Sequence, residues 1–402
     1  MPKSGASGDE SGDAMTAPIR GPLLVVSPAV PTEAAGTNIV VRRLLENFRG
    51  DEVILLARAA DRRARLQGDT LHYPVVKGWA PPRGLRGERY SRLLAAAPML
   101  AQGLAIARRH RPVAILGVFP EDGTLLTAWL LHRVTGIPLL PYFCDLYMED
   151  RVGDGWEARL SRWLQPRVFR SARRLLVVNQ GMADFYRGRY GIDALVVPTC
   201  INQPIPAFAP PPPHHRPFRI GYSGNVNPTR ASSLRALMDA VRGDPGFEVR
   251  LFTPQTRADL DSWGIRSDAA GVEFIRDEAA LVRRLEECDA LFVPITFDTD
   301  GNTRDQLATS FGIKSYEYFL AQRPVVVHAP GDYFVARFYR AHECGIVVDD
   351  PAPAPLREAF LRLRGAPAIG VDLVRRGLEA THDFEGARVA AVLRAFLGGL
   401  GR

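Results

Sequence analysis

Beyond residue 22 the chain alternates short apolar runs with longer stretches whose apolar positions recur at helical spacing. In the first half the runs fall at 23–27, 53–56, 113–118, 139–143, 175–178 and 195–197. Helical spacing occupies most of the gaps, at 37–48, 90–109, 125–134, 156–170 and 182–189. Apolar runs without polar alternation predict strands buried on both faces, and helices between them predict a parallel sheet covered on each side. The segment 203–217 interrupts this pattern with Pro204, Pro206, Pro210, Pro211, Pro212 and Pro213. Such a segment joins neither sheet nor helix and reads as a semi-rigid spacer. Strand patterns then resume at 218–222, 249–252, 272–275, 290–294, 325–328 and 346–348, with helices at 232–241, 278–286, 313–321 and 333–341. The expectation is an α/β protein of two Rossmann-like domains facing a cleft. They would span residues 21–202 and 218–384 on either side of the 203–217 linker, with a final helix in 385–402 packing back on the first domain. Residues 1–20 read as a disordered tail, with Met15 as a second candidate start.

The length, 402 residues, exceeds what one hydrophobic core usually serves, in keeping with two domains. At 46% hydrophobic and 24% charged, the composition is that of a globular protein and excludes fibrous and disordered classes. Lys plus Arg number 51 against 44 Asp plus Glu, a formal charge of +7. That excess calls for an anionic partner: nucleic acid, an anionic membrane surface or a phosphorylated small molecule. Cys144, Cys200, Cys288 and Cys344 lie far apart, with no Cys-x-x-Cys pair, so a disulfide framework and structural zinc are not expected. A reduced, cytoplasmic setting follows. The histidines show no metal spacing, and His214 and His215 are expected to be solvated in the linker. The apolar stretch at 93–107 is too short to span a bilayer.

Four segments carry candidate chemistry. After the first strand, Gly36 and Thr37 open a helix whose free N–H groups suit an anion, although the Gly-x-Gly-x-x-Gly fingerprint is missing. After the first strand of the second half, Gly221-Tyr222-Ser223-Gly224-Asn225 and, further on, Arg230 form a polar glycine lip where open parallel sheets bind ligands. Arg230 is suited to fork onto a diphosphate. In the third segment Thr309, Ser310 and Gly312 precede a helix with Lys314 in its first turn, a position unfavourable to the dipole unless an anion binds there. Glu317 falls three residues later on nearly the same face, placed to accept from ribose hydroxyls or to pair with Lys314. The fourth segment is Tyr142-Phe143-Cys144-Asp145, where Asp145 at a strand's carboxyl end is a candidate to orient or deprotonate a hydroxyl, with Glu121 and Asp122 as second choices. Residues 296–308, with Asp298, Asp300 and Asp305, are expected to form a long polar loop rather than a metal site. The stretch 156–174 carries Trp163 and several arginines, either a solvated face or one that rests on anionic lipid.

The run Lys314-Ser315-Tyr316-Glu317-Tyr318, followed by Ala321, Pro324 and three valines, resembles the nucleotide-sugar segment of glycosyltransferase family 4 and its GT-B relatives. The segments Val177-Val178-Asn179-Gln180-Gly181-Met182, Tyr190-Gly191 and Val196-Val197-Pro198 are similar to the end of that family's first domain, as is Gly36-Thr37 ahead of its helix. The resemblance implies a GT-B fold and a hexosyltransferase-like, metal-independent enzyme without a cofactor, the nucleotide-sugar being a co-substrate. Its donor residues would be Gly224, Asn225, Arg230, Thr309, Ser310, Gly312, Lys314 and Glu317. Gly36 and Thr37 would form an acceptor or phosphate loop, and Asp145 and Glu121 would be the catalytic candidates. The sugar would pass to a glycan or lipid-linked acceptor during surface-polysaccharide or glycoconjugate assembly, in the cytoplasm or at the inner face of the membrane, in peripheral contact with anionic lipid. No nucleic-acid partner is implied. The sequence departs from the family where its first paired glutamate gives way to Thr309, where Asn225 replaces an Arg and Arg230 a Lys, and where Gly312 replaces a Pro. A nucleotide-sugar epimerase of the same fold and a non-catalytic scaffold or binding subunit stand as alternatives.

Overall fold

A computed structural model describes residues 19–400 except 29, 32–35, 59–73, 79–94, 152, 300 and 313. The described residues form two compact units, one running to Asn202 and completed by residues from Phe384 onward, the other Gln203–Asp383.

The first unit contains, in order, β1 (Leu23–Ser27), α1 (Thr37–Leu45), β2 (Val53–Arg58), β3 (Val75–Gly78), α2 (Ala96–His110), β4 (Ala114–Phe119), α3 (Asp122–Thr135), β5 (Leu139–Phe143), α4 (Trp156–Ser171), β6 (Leu175–Val177), α5 (Gln180–Tyr190) and β7 (Ala194–Val196). Its strands pair in the order β3-β2-β1-β4-β5-β6-β7. All pairs are parallel, with Leu24 opposite Ile54 on one side and Ile115 on the other. β1, β4 and β5 are buried throughout, which is why they read as unbroken apolar runs.

The second unit contains β8 (Phe218–Ser223), α6 (Pro228–Ala240), β9 (Phe247–Phe252), α7 (Arg257–Ser262), β10 (Ala270–Glu273), α8 (Glu278–Glu286), β11 (Ala290–Pro294), α9 (Gly301–Thr309), α10 (Lys314–Leu320), β12 (Val325–His328), α11 (Phe334–Ala341), β13 (Ile346–Val348), α12 (Pro353–Gly365) and α13 (Pro367–Thr381). Its strands are again all parallel, in the order β10-β9-β8-β11-β12-β13. In each sheet the order reverses beside the first strand, at β1/β4 and at β8/β11. A reversal of this kind leaves a crevice at the strands' carboxyl ends because the flanking helices run to opposite faces.

The chain's last helix, α14 (Gly386–Gly399), belongs to the first unit. Arg394 donates to Glu52 at 2.9 Å and to the Asn47 carbonyl at 2.6 Å, and its guanidinium covers the Phe48 ring at 4.6 Å. The Ile201 N–H donates to the Phe384 carbonyl at 2.7 Å, and the Gly386 N–H returns to the Ile201 carbonyl at 3.0 Å. A side chain at Gly386 would overlap the Asn202 amide, so this crossing requires glycine.

Several expectations are corrected. The polar segment 296–308 is not one long loop, because α9 forms within it. His215 is not simply solvated: its N–H and its Nδ1 both lie 3.0 Å from Asp289 Oδ1, where the buried carboxylate anchors the end of the proline segment. β3, α7, α12 and α13 were not anticipated. Residues 1–18 of the expected tail and 90–94 of an expected helix lie outside the described residues.

Candidate functional site

The carboxyl end of β8 brings together most of the second unit's candidates. Gly224 has φ 110°, a region that disfavours side chains, and a Cβ there would overlap the ammonium end of Lys314. Lys314 therefore reaches from α10 into the space that Gly224 leaves. Its Nζ donates to Tyr222 Oη at 3.2 Å and lies 4.7 Å over the Tyr222 ring. Tyr222 Oη in turn donates to the Asn225 carbonyl at 2.7 Å, which fixes the lip from below. Burial, together with the charge of Arg230, pulls the Lys314 pKa down to about 7, while Glu317 acts in the opposite sense. The Arg230 pKa is also lowered by burial.

Arg230 owes its place to the start of α6, where Asn227 accepts from the Thr229 N–H and Pro228 presets the first helical turn. From there Arg230 Nη1 donates to the Pro294 carbonyl at 2.9 Å. Ser233 Oγ donates to the Ile295 carbonyl, and Ser232 Oγ meets Thr296 Oγ1, both at 2.6 Å. These bonds stitch the helix to the end of β11. No carboxylate of the described residues forms an ion pair with Arg230. The guanidinium and the ammonium thus approach one another across one strand end, an arrangement that an anion would relieve.

Thr309 and Ser310 use their hydroxyls on their own helix. Thr309 Oγ1 donates to the Asp305 and Gln306 carbonyls at 3.0 and 3.1 Å, and Ser310 Oγ to Gln306 at 2.7 Å. Gly312 is exposed, and a Cβ there would meet only the Lys314 backbone nitrogen, at 4.0 Å. Because α10 has only seven residues, the positive field here comes from Lys314 and Arg230 rather than from a helix dipole. Sequence reasoning missed Tyr318, whose buried Oη accepts from the Ser223 N–H at 2.9 Å and donates to the Phe292 carbonyl at 3.2 Å. It ties α10 to β8 and β11 at once.

In the first unit, Gly36 caps α1 with φ 55°, and a Cβ there would meet nothing within 4 Å. The Thr37 side chain hydrogen-bonds Cys144, which brings this loop beside the end of β5. Asp145 is exposed, so solvent screens the upward pull that crowding by protein, and then the charge of Asp150, exert on its pKa. Glu121 is buried and gripped by Arg58, with Nε 2.8 Å from Oε1 and Nη2 3.1 Å from Oε2. Asp122 accepts from Tyr147 Oη at 2.5 Å and from Arg151 Nη2 at 3.4 Å, and burial raises its pKa. Arg58 and Arg151 were also missed, since nothing near them in sequence marks their carboxylate partners. Among the described residues no cluster of three or more His, Cys, Asp or Glu could hold a metal ion, and no helix is long and apolar enough to cross a membrane.

Comparison with known proteins adds the following. Residues 35–200 match the family model described as a glycosyl transferase 4-like domain. No curated protein sequence matches the chain at a significant level. Among solved structures, sucrose-phosphate synthase from Thermosynechococcus elongatus superposes with a TM-score of 0.70 at 16% identity, over 95% of this chain and 99% of the other. Anabaena HepE in complex with UDP gives 0.69 at 13% identity over 94% and 100%. A glycosyltransferase from Rickettsia africae gives 0.61 at 10% identity over 94% and 98%. At these identities the likeness is one of fold, and the fold is GT-B, as the sequence led us to expect.

Proposed function

From a chain with a glycosyl transferase 4-like domain and the GT-B fold, we propose a nucleotide-sugar-dependent glycosyltransferase. The observation that carries this reading is the meeting of Lys314 and Arg230 at the end of β8, two cations drawn together around a glycine. A nucleoside diphosphate answers both charges. Gly224 and Asn225 leave its backbone room, and Glu317 accepts from the ribose hydroxyls. Thr309, Ser310 and Gly312 form the neighbouring wall. The same two cations stabilise the diphosphate as it leaves, where charge develops in the transition state.

Asp145 orients or deprotonates the acceptor hydroxyl, and Gly36 and Thr37 form the acceptor side's anion-tolerant loop. Glu121, held by Arg58, is better suited to fixing that arginine than to taking a proton. The acceptor is a glycan or lipid-linked glycan, the transferred group a hexose, and the setting cytoplasmic. The reaction as we draw it uses no metal. UDP is the first nucleotide to try, since HepE, a protein of the same fold, is described in complex with it.

The test is calorimetric binding of UDP, GDP, dTDP and CMP to the wild type and to Glu317→Ala and Arg230→Ala. The expected loss is about tenfold or more in each variant, since each removes a charge-assisted contact. Absence of nucleotide binding by the wild type, or undiminished binding by both variants, would overturn the reading. Loss of turnover but not of nucleotide binding in Asp145→Asn is the outcome expected of an acceptor-side residue.

A further inference from the structure

The first unit buries two carboxylates that the proposed reaction does not use, and both are turned on one short segment. Residues 144–151, which follow β5 and carry Asp145, form neither strand nor helix, so no ladder fixes their course. Asp122, in the first turn of α3, spends its two oxygens on two residues of that segment. Its Oδ1 accepts from Tyr147 Oη at 2.5 Å and its Oδ2 from Arg151 Nη2 at 3.4 Å. The Tyr147 ring is fully buried, 4.6 Å from that of Phe119 at the end of β4.

Glu149 ties the same segment to α4 and α5. It is 5% exposed, and among the described residues no cation pairs with it. Its Oε1 accepts from Tyr190 Oη at the end of α5 and from Gln165 Nε2 of α4, the latter at 3.4 Å. Among the described residues its buried Oε2 has no partner. Gln165, oriented in this way, accepts from the Met148 N–H at 2.9 Å, and the Arg151 N–H closes a turn onto the Met148 carbonyl at 3.2 Å. A desolvated carboxylate without a cation costs free energy that a well-packed apolar side chain would not. Stability therefore does not explain Glu149, whereas a demand for one conformation of the segment does. Asp145 is exposed but bounded on both sides by buried residues, Phe143 of β5 before it and Leu146 and Tyr147 after it.

We propose that Asp122 and Glu149 are positioning residues, which fix the segment 144–151 so that Asp145 stands at the carboxyl end of β5 where an acceptor hydroxyl reaches it. Neither touches the acceptor, and each acts through the segment. The proposal rests on the reading of Asp145 as an acceptor-side residue, but its test is free of that reading. Hydrogen–deuterium exchange of the full chain, read peptide by peptide in a mass spectrometer, needs neither nucleotide nor turnover. Tyr147→Phe and Tyr190→Phe each remove one hydroxyl and keep the ring. Exchange across 144–151 should rise by about tenfold in each, the worth of one hydrogen bond to a buried charged group. Peptides of the second unit should exchange as in the wild type. Asp122→Asn and Glu149→Gln keep an oxygen for the same hydroxyls and should exchange near the wild-type rate, whereas Asp122→Ala and Glu149→Leu should match the tyrosine variants. Unchanged exchange at 144–151 in either tyrosine variant would overturn the proposal. So would a rise of equal size throughout the first unit, or conservative variants as open as the truncated ones. Turnover of Asp145→Asn is a separate measurement: if it is undiminished, the role of Asp145 falls while the clamp itself stands.

Discussion

The Lys314 ammonium lies half-buried against Gly224 with Arg230 nearby, and its pKa falls to about 7. The unfolded chain holds that proton up to about 10.5, so the lysine destabilises the fold below about 7, and the cost fades as pH rises toward 10.5. A bound diphosphate reverses the preference. Nucleotide binding should therefore take up a proton above pH 7, and affinity should fall as pH rises, by at most about tenfold per unit. Calorimetry in buffers of different ionisation heat measures that proton directly. Lys314→Met should flatten the pH profile and abolish nucleotide-induced stabilisation, yet raise the melting temperature of the free protein, by an amount worth about 1 kcal/mol. A variant that is less stable when free would contradict this account. Lys314 and Glu317 stood out as candidates because the proposed chemistry lies in the residue types and their spacing. The tyrosines beneath them did not, because Tyr318 finds the Ser223 N–H 95 residues away and no local pattern announces such a partner.

Among the elements, the strands were the most legible. A parallel strand buried on both faces is an unbroken apolar run, and β1, β5, β11, β12 and β13 begin and end where those runs do. The four-residue strand β3 and the polar helix α9 escaped notice for the opposite reason, since neither shows a periodic apolar stripe of useful length. The prolines that open α12 and α13 read as breakers until their place in the first helical turn is seen. The Tyr318 hydroxyl links α10 to β8 and β11 at once. Tyr318→Phe should strand the buried Ser223 N–H and remove one bond to Phe292, costing about 2 kcal/mol by denaturant titration. Nucleotide affinity should weaken with it, because Lys314 rides on the same helix. The attachment of α14 makes a second test. Burial alone would raise the Glu52 pKa, but Arg394 and Arg49 outweigh it and lower it. That contribution is present above the ordinary carboxylate pKa and is lost as pH falls through the folded value. Arg394→Ala should cost about 3 kcal/mol at neutral pH by leaving the buried Glu52 with only Arg49, 3.8 Å away, as a cationic partner, and the deficit should narrow in acid.

At the scale of the molecule, the second unit is one contiguous segment, Gln203–Asp383, whereas the first is assembled from both ends of the chain. Expressed alone, residues 203–383 should fold cooperatively and retain nucleotide binding near that of the intact protein, since Gly224, Arg230, Lys314 and Glu317 are all internal to it. Residues up to 202 expressed alone should not reach full stability, because Phe48 and Glu52 lose their cover. Comparison of the two fragments by thermal melting decides both points. The same arrangement imposes an order on birth. The ribosome completes β1 to β7 early, yet the Gly386 crossing and the Arg394 clasp do not exist until synthesis has run on through the whole of the second unit, roughly 10–40 s later at ordinary elongation rates. The part made first is therefore the part finished last, and the nascent protein carries an unsealed flank of its first sheet through most of its translation.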